Sequence, residues 1–474
     1  MNNSTIIENF KRLNNIMYSP KNYDFETGDF NIISHNNHID ILANIILSDK
    51  IYNDKDIVEM ANKYDEEHIH IDEKKAFGKK WLFDNTSNYE MKHHRQIIFE
   101  EFFCSYAEIK DILGFNPHLI NYLINIFMKN NLMLEKNKIF INNDSVNKQI
   151  EKILALLVVN IENLKKLDKS KIIYTIQDHP IIKIGNIYLL SSVYIIESNC
   201  RRILNYRLKE IESFKKHKGD KFEDLVFDIV KHYFDGKVYK NVEYTGGETD
   251  IVAENDSDIY VIECKAIDIY DDFTRNIDNE IIENNINDIL KKTEEQGSNF
   301  FSALCSNKKI KENNVEIIID KKKKKHIIGI SLGCLYGLKV ESNYDYINLS
   351  FSDFATILSL TFYCNNRSYY KKPFKLINDM FNLSVNVDPI RTFWILLNYD
   401  YNVLEIFKEI APKTEAMISL KGIQKYDSYI LKLLYDYQNS LYNKSILYQK
   451  KDWMHKYLTR EKISNRINMN MNNS

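Results

Sequence analysis

Hydrophobic positions in the middle of this chain repeat first at a helical period and then at a period of two. Phe222, Leu225, Val226, Ile229 and Val230 share one face at helical spacing, which predicts a helix over KFEDLVFDIVKHYF. VYKNVEY, TDIVAEN and IYVIECKAI then alternate, separated by the turn-forming TGG and DSD, and read as three strands. A second helix is predicted from about 278 to 304, and VEIIID and HIIGISLGCL read as two closing strands.

The same reading divides the rest of the chain. Residues 1–94 are polar and weakly periodic, with a helix expected near 38–48 and a short alternating run in EEHIHIDEKK. Over 95–145 the order helix, helix, tight turn, helix, hairpin is that of a winged-helix-like segment, with LMLEKNKIFI as the hairpin. The helix after Pro117 has a broad apolar face and only His118 and Lys129 as phosphate contacts, which favours interaction or scaffolding over base reading. Residues 146–217 form a connector: an amphipathic helix in EKILALLVVNIENLKKL, a hairpin in KIIYTIQDHPIIKIGNIYLLSS, and a long helix leading into Gly219. The strand-bearing unit occupies 218–340, and 341–474 is expected to be helical with a disordered Asn-rich tail. The fold class is therefore α/β: a central mixed sheet flanked by helices, with helical regions on either side.

Composition narrows this picture. Gly and Pro number only 13 and 6, which argues against a turn-rich all-β fold and for long helices. The formal net charge of −2 excludes a protein that coats nucleic acid non-specifically, so any such contact needs a local basic surface. The six cysteines include no CxxC pair, which speaks against a structural zinc site and for reduced thiols in a cytoplasmic protein. MNNSTIIENF lacks the basic and apolar regions of a secretory leader, and the apolar run ILALLVVNI is too short to span a membrane, so neither is expected.

The candidate chemistry lies on the strands. Alternation puts Glu263 and Lys265 on one face and Cys264 on the other. Asp250 stands near the start of the preceding strand, and a hairpin turning at Asp256–Asp258 is expected to set it roughly opposite Lys265. Two carboxylates and an ammonium then converge at one edge of the sheet, with Glu223 at the edge of the helical face looking sideways at them. Oxygen ligands of this kind suit Mg²⁺, and the backbone carbonyl of Cys264 could complete the protein's share. Lys265 would orient the attacking water or offset charge in the transition state. An isolated ExK at a strand end is usually a solvated edge pair; Asp250 behind it and Glu223 ahead tip the balance towards a site. Glu248, on the face of Asp250, is either a substitute ligand or a polar turn residue. The run Lys321–Lys325 reads as a solvated hairpin tip before it reads as a phosphate grip, His68 and His70 as an exposed strand edge, and Cys264 as core packing.

The order helix-Glu223, Asp250, then Glu263-x-Lys265 resembles the PD-(D/E)xK, or restriction-endonuclease-like, nuclease superfamily. GETDIVA followed by VIECKA looks like its Holliday-junction-resolvase-like and Mrr-like branches. The resemblance covers about 219–340, roughly a quarter of the chain. It implies that Asp250 and Glu263 bind metal, that Lys265 is the catalytic lysine, and that Glu223 matches an acidic residue on the first core helix. Some branches carry Gln-x-x-x-Tyr on the following helix. Here Gln296 is followed by Phe300 in place of Tyr, which leaves Gln296 an accessory candidate. The implied activity is hydrolysis of DNA phosphodiesters with Mg²⁺, for which Mn²⁺ would substitute, in a setting such as bacterial defence against foreign DNA. DNA is the expected partner, and the flanking helical regions suggest a homo-oligomer or a regulatory protein partner. The alternatives are a catalytically inert nuclease fold serving as a nucleic-acid or protein scaffold, and a nuclease acting on RNA or branched DNA.

Overall fold

The computed structural model describes residues 3–17, 35–48, 50–69, 97–267, 279–332 and 342–363, together with Phe374 and Ile377. The chain is mixed α/β with two mixed sheets, and it divides into two compact units that meet in sequence between Ile211 and Glu212. None of the described helices is long and apolar enough to cross a membrane. The expectations for His70 and for the chain beyond Ile377 lie outside the described residues.

The first unit opens with helices α1 (Asn3–Met17), α2 (His35–Leu47) and α3 (Asp54–Ile69). The helix expected near 38–48 is α2, whereas the strand expected from EEHIHIDEKK begins inside α3. A π-turn (Glu100–Cys104) and the short α4 (Ile109–Leu113) follow, and Gly114 ends α4 at φ 74°. Helix α5 (His118–Lys129) starts directly after Pro117 and buries the apolar face read from its sequence. The chain continues through β1 (Met133–Glu135), α6 (Lys136–Ile139), α7 (Asp144–Leu157), β2 (Val158–Asn160), α8 (Ile161–Leu164), α9 (Lys169–Asp178), β3 (Ile181–Ile184), β4 (Ile187–Leu190) and α10 (Val193–Leu208).

Three local expectations fail here, each for a tertiary reason. LMLEKNKIFI does not fold back on itself: β1 pairs antiparallel with β4, and the next residues coil into α6, burying Ile139 completely. The winged-helix-like segment thus lacks its own hairpin. In EKILALLVVNIENLKKL the helix stops at Leu157, and Val158–Asn160 extends to pair in parallel with β3, which suits its β-branched valines. In KIIYTIQDHPIIKIGNIYLLSS only the second half is a hairpin, turning at Gly185. The first half is helix α9, whose start is capped by the Asp168 carboxylate accepting from Lys171 N–H.

The second unit begins with α11 (Glu212–Tyr233), separated from α10 by a break at 209–211, so the single long helix expected there is two. Gly219 sits inside α11 and does not end it; buried Phe214 and Phe222 on either side outweigh the cost of a helical glycine, about 1 kcal/mol. Strands β5 (Lys237–Tyr244), β6 (Gly247–Glu254) and β7 (Asp258–Lys265) follow, then α12 (Asn279–Cys305), the small β8 (Ile310–Glu312) and β9 (Val315–Glu316), β10 (Lys324–Ser331), β11 (Asp345–Ser350) and α13 (Phe351–Tyr363). The sheet order is β11-β10-β7-β6-β5-β8-β9, with β10 parallel to both β7 and β11 and the other pairs antiparallel. The sheet therefore runs past residue 340 to include β11. Of VEIIID only Val315–Glu316 is strand, at the outer edge, where Ile318 is 88% exposed.

Helix α12 covers one sheet face, where Phe300, Phe301 and Leu304 pack against Val252, Ile259, Val261 and Ile327. Burial of each such phenylalanine contributes roughly 1.5–3 kcal/mol. Gly297 lets the helix come close: a Cβ there would lie 2.8 Å from the Ile327 side chain. Helix α11 packs against β5, β6 and β7 and against α13, with Phe222 on Phe351, and Phe234 just beyond it meets Tyr260. Since Tyr260 and Val261 alternate along β7, α11 and α12 take opposite faces. The lysine run is engaged internally: Lys321 donates to Asn307, Lys323 pairs with Glu254 and Lys324 with Asp345.

Candidate active site

The three strand residues meet where β6 parts from β7. Paired residues run from Glu254↔Ile259 to Ile251↔Ile262, and one further step sets Asp250 opposite Glu263. The expected pairing of Asp250 with Lys265 is thus corrected. The hairpin turn is tighter than the sequence suggested because the Asn255 side chain accepts from both Ser257 N–H and Asp258 N–H, closing the turn at once. On its other edge β6 is paired with β5 on both sides of Asp250, through Lys240↔Ile251 and Val242↔Thr249. Between them Asn241 takes φ 51°, a left-handed conformation that asparagine tolerates better than most residues. The ladder pairs on either side skip Asn241 and Asp250.

Asp250 Oδ2 accepts the Cys264 backbone N–H at 2.6 Å, which ties it across to β7. Glu263 is completely buried, and its Oε1 accepts a short hydrogen bond from the Thr249 hydroxyl. Its Oε2 has no hydrogen-bond partner, and the Lys265 ammonium stands 3.7 Å from it, too far for one. Lys265 instead donates to Gln296 Oε1 at 2.6 Å, a contact made possible by the close approach of α12 at Gly297. Gln296 therefore joins the site although Phe300 stands where a tyrosine was expected; Phe300 is core, edge-on to Tyr244. Glu223 is half-buried on α11 and feels the charge of Asp250. Glu248 is exposed, opposite Glu243 in the ladder, and contributes only a distant negative charge to Glu223.

The electrostatics are those of crowded anions. Burial, and then the charge of Asp250, push the Glu263 carboxyl well above its usual range, with Lys265 and the Thr249 hydroxyl opposing. Burial raises Asp250 too, against the Cys264 N–H and the nearby lysines. Burial and Asp250 push Glu223 up to about 7, with Lys240 opposing. Burial also pushes the Cys264 thiol up. Three carboxyl groups within reach of one another have one adjacent ammonium and a second lysine, Lys240, that is itself paired with Asp224 at 2.6 Å.

Thr249 and Lys240 were not among the residues singled out from sequence. Thr249 immediately precedes Asp250, so alternation alone would have sent it to the opposite face, yet its hydroxyl donates to Glu263 Oε1. A cleft of about 560 Å³ lies at the far end of the same hairpin, lined by Tyr233, Glu254, Asp258, Tyr260, Lys323 and Phe374. Its size does not make it the reactive centre, because Glu254 is already neutralised by Lys323 at 2.8 Å and hydrogen-bonded by Tyr239. Comparison with protein-family models, with curated proteins and with solved structures found no match to this chain.

Proposed function

We propose that this chain is a metal-dependent endonuclease that hydrolyses DNA phosphodiester bonds, with Asp250, Glu263 and Lys265 at its centre and a restriction-endonuclease-like fold around them. The observation that carries the reading is Glu263: wholly buried, beside the partly buried Asp250 carboxylate, with no hydrogen bond to Oε2 and only the Lys265 ammonium near it, at 3.7 Å. An anionic oxygen in that setting costs several kcal/mol unless something cationic meets it. The donors are all hard oxygens, which fits Mg²⁺ or Mn²⁺ and not a thiolate-seeking metal. From α11 to β10 the order is helix, three strands, helix, the small β8 and β9, then β10; leaving aside that small edge pair, it is the order expected of that superfamily's core, which supports the fold assignment.

When bound, such a cation would polarise the phosphodiester and lower the pKa of a bound water. The chain's own residues prepare for that. Thr249 holds one oxygen of Glu263 and leaves the other available. The Cys264 N–H holds Oδ2 of Asp250 in place, and the Cys264 carbonyl, between the two key side chains in sequence, is the backbone oxygen expected to complete the set. Gln296 tethers the Lys265 ammonium, which offsets negative charge building on the phosphate in the transition state. Glu223, with its raised pKa, is suited to hold or pass a proton near neutral pH.

The test is cleavage of plasmid and single-stranded DNA with Mg²⁺ or Mn²⁺, comparing wild type with Asp250→Ala. Cleavage by wild type alone supports the reading. A chain that binds the cation and cleaves neither DNA form, nor RNA or branched DNA, is an inert fold used for binding.

A further inference from the structure

A second group of metal-ligating side chains lies in the first unit. Glu100, Cys104 and His118 each present one ligand atom, and these atoms all lie within 4.8 Å of one another. Glu100 and Cys104 sit four positions apart at the two ends of the π-turn, which is closed by Ser105 N–H donating to Glu100 O at 3.0 Å. Short π-turns inside helical segments recur at functional sites. His118 opens α5 and faces back towards this turn: its Nδ1 is 3.5 Å from Glu100 Oε2. The sequence had offered His118 as a phosphate contact, and the structure turns it to a different partner.

Two observations point to a ligand here. His118 Nδ1 is buried and makes no hydrogen bond, so its pairing with Glu100 leaves the ring nitrogen unsatisfied. The other oxygen of Glu100 is approached by the buried Asn121 amide at 3.4 Å, an outer partner of the kind that orients a ligating carboxylate. The side chains of His118 and Glu100 keep 28% and 18% of their exposure, which leaves an ion a way in.

We propose that Glu100, Cys104 and His118 form a zinc-binding site joining the π-turn to the start of α5. A carboxylate oxygen, a thiolate sulfur and an imidazole nitrogen are the donor types that Zn²⁺ takes in tetrahedral sites. Three protein ligands leave the fourth position for water or an incoming donor. Mg²⁺, which the carboxylate cluster of the second unit suits, does not select sulfur and nitrogen, so the two sites sort different metals.

The experiment uses the full chain, stripped with a chelator, titrated with Zn²⁺ against a competing chromophoric chelator, and in parallel loaded with Co²⁺ for its absorption spectrum. Wild type is expected to bind Zn²⁺ and to show a thiolate-to-Co²⁺ charge-transfer band. Cys104→Ser should lose the band, and both Cys104→Ser and His118→Ala should weaken Zn²⁺ by more than the roughly 10–100-fold that loss of an outer-shell partner costs. Asp250→Ala should keep the band, because its defect lies in the other site. Thermal melts in chelator establish that each variant is folded; if Cys104→Ser is not, Glu100→Gln carries the same expectation for affinity. Absence of Zn²⁺ binding by folded wild type, or affinity unchanged in the folded variants, overturns the proposal.

Discussion

The two ends of the β6–β7 hairpin carry acidic groups of the same kind in opposite electrostatic situations. At the turn end Glu254 is paired with Lys323, Asp258 accepts from His326, and Asp345 meets Lys324. At the open end Asp250, Glu263 and Glu223 crowd together, and Glu263 Oε2 has no hydrogen bond at all. Folding alone would select the first arrangement, since Glu254, the buried carboxylate there, has its counter-charge in Lys323. The second is unfavourable for the isolated chain, and such arrangements persist where a ligand completes them. The contrast is between carboxylates matched by counter-charges and carboxylates crowded against one another.

The sharpest way to break the contrast is to remove the crowded carboxylates. Asp250→Ala and Glu263→Ala should abolish cleavage and Mg²⁺ binding together while the protein stays folded, as read by nicking assays, calorimetry and circular dichroism. At the turn end the opposite is expected. Lys323→Ala strands a buried Glu254 and should cost about 3 kcal/mol, lowering Tm by roughly 5–10 °C, with cation binding intact. If Lys323→Ala instead destroyed cation binding, the two ends would not be separable.

Gln296→Ala should act between these extremes. It frees the Lys265 ammonium without removing it, so kcat should fall by roughly 10–100-fold with little change in cation affinity. The smallest effect concerns stability without metal. The folded state holds protons on Glu263 and Glu223 more tightly than the unfolded chain does. Metal-free stability should therefore fall as pH rises from the ordinary carboxylate range through about 7, the value to which Glu223 is pushed. Glu263→Gln keeps the acceptor for Thr249 and removes the charge, so it should flatten that fall and raise the metal-free Tm above about pH 7 by roughly 2–4 °C. A melt curve for Glu263→Gln that tracks wild type across this range would remove the electrostatic part of the account.

Period-two alternation was enough to place Glu263 and Lys265 on one face, and helical spacing was enough to bury the α11 face. Both depend on nearest neighbours in sequence. What the sequence did not disclose depends on distant ones. The register that brings Asp250 to Glu263 follows the turn that the Asn255 side chain closes, and Thr249 reaches Glu263 from a position that alternation assigns to the other face. The strand character of Val158–Asn160 and the pairing of β1 with β4 come from partners 23 and more than 50 positions away, invisible to a local window. Glu100, Cys104 and His118 show no metal-binding spacing because a π-turn and a short helix bring them together.

The central claim is that Lys265 belongs to a working phosphodiesterase site and not to an edge ion pair. Its most direct test is Mg²⁺-dependent cleavage of supercoiled plasmid by wild type and Lys265→Ala, with Mg²⁺ affinity measured on both proteins. The variant is expected to lose roughly 10²–10³-fold in kcat and to bind Mg²⁺ about as well as wild type. A Lys265→Ala protein that cleaves like wild type would contradict it.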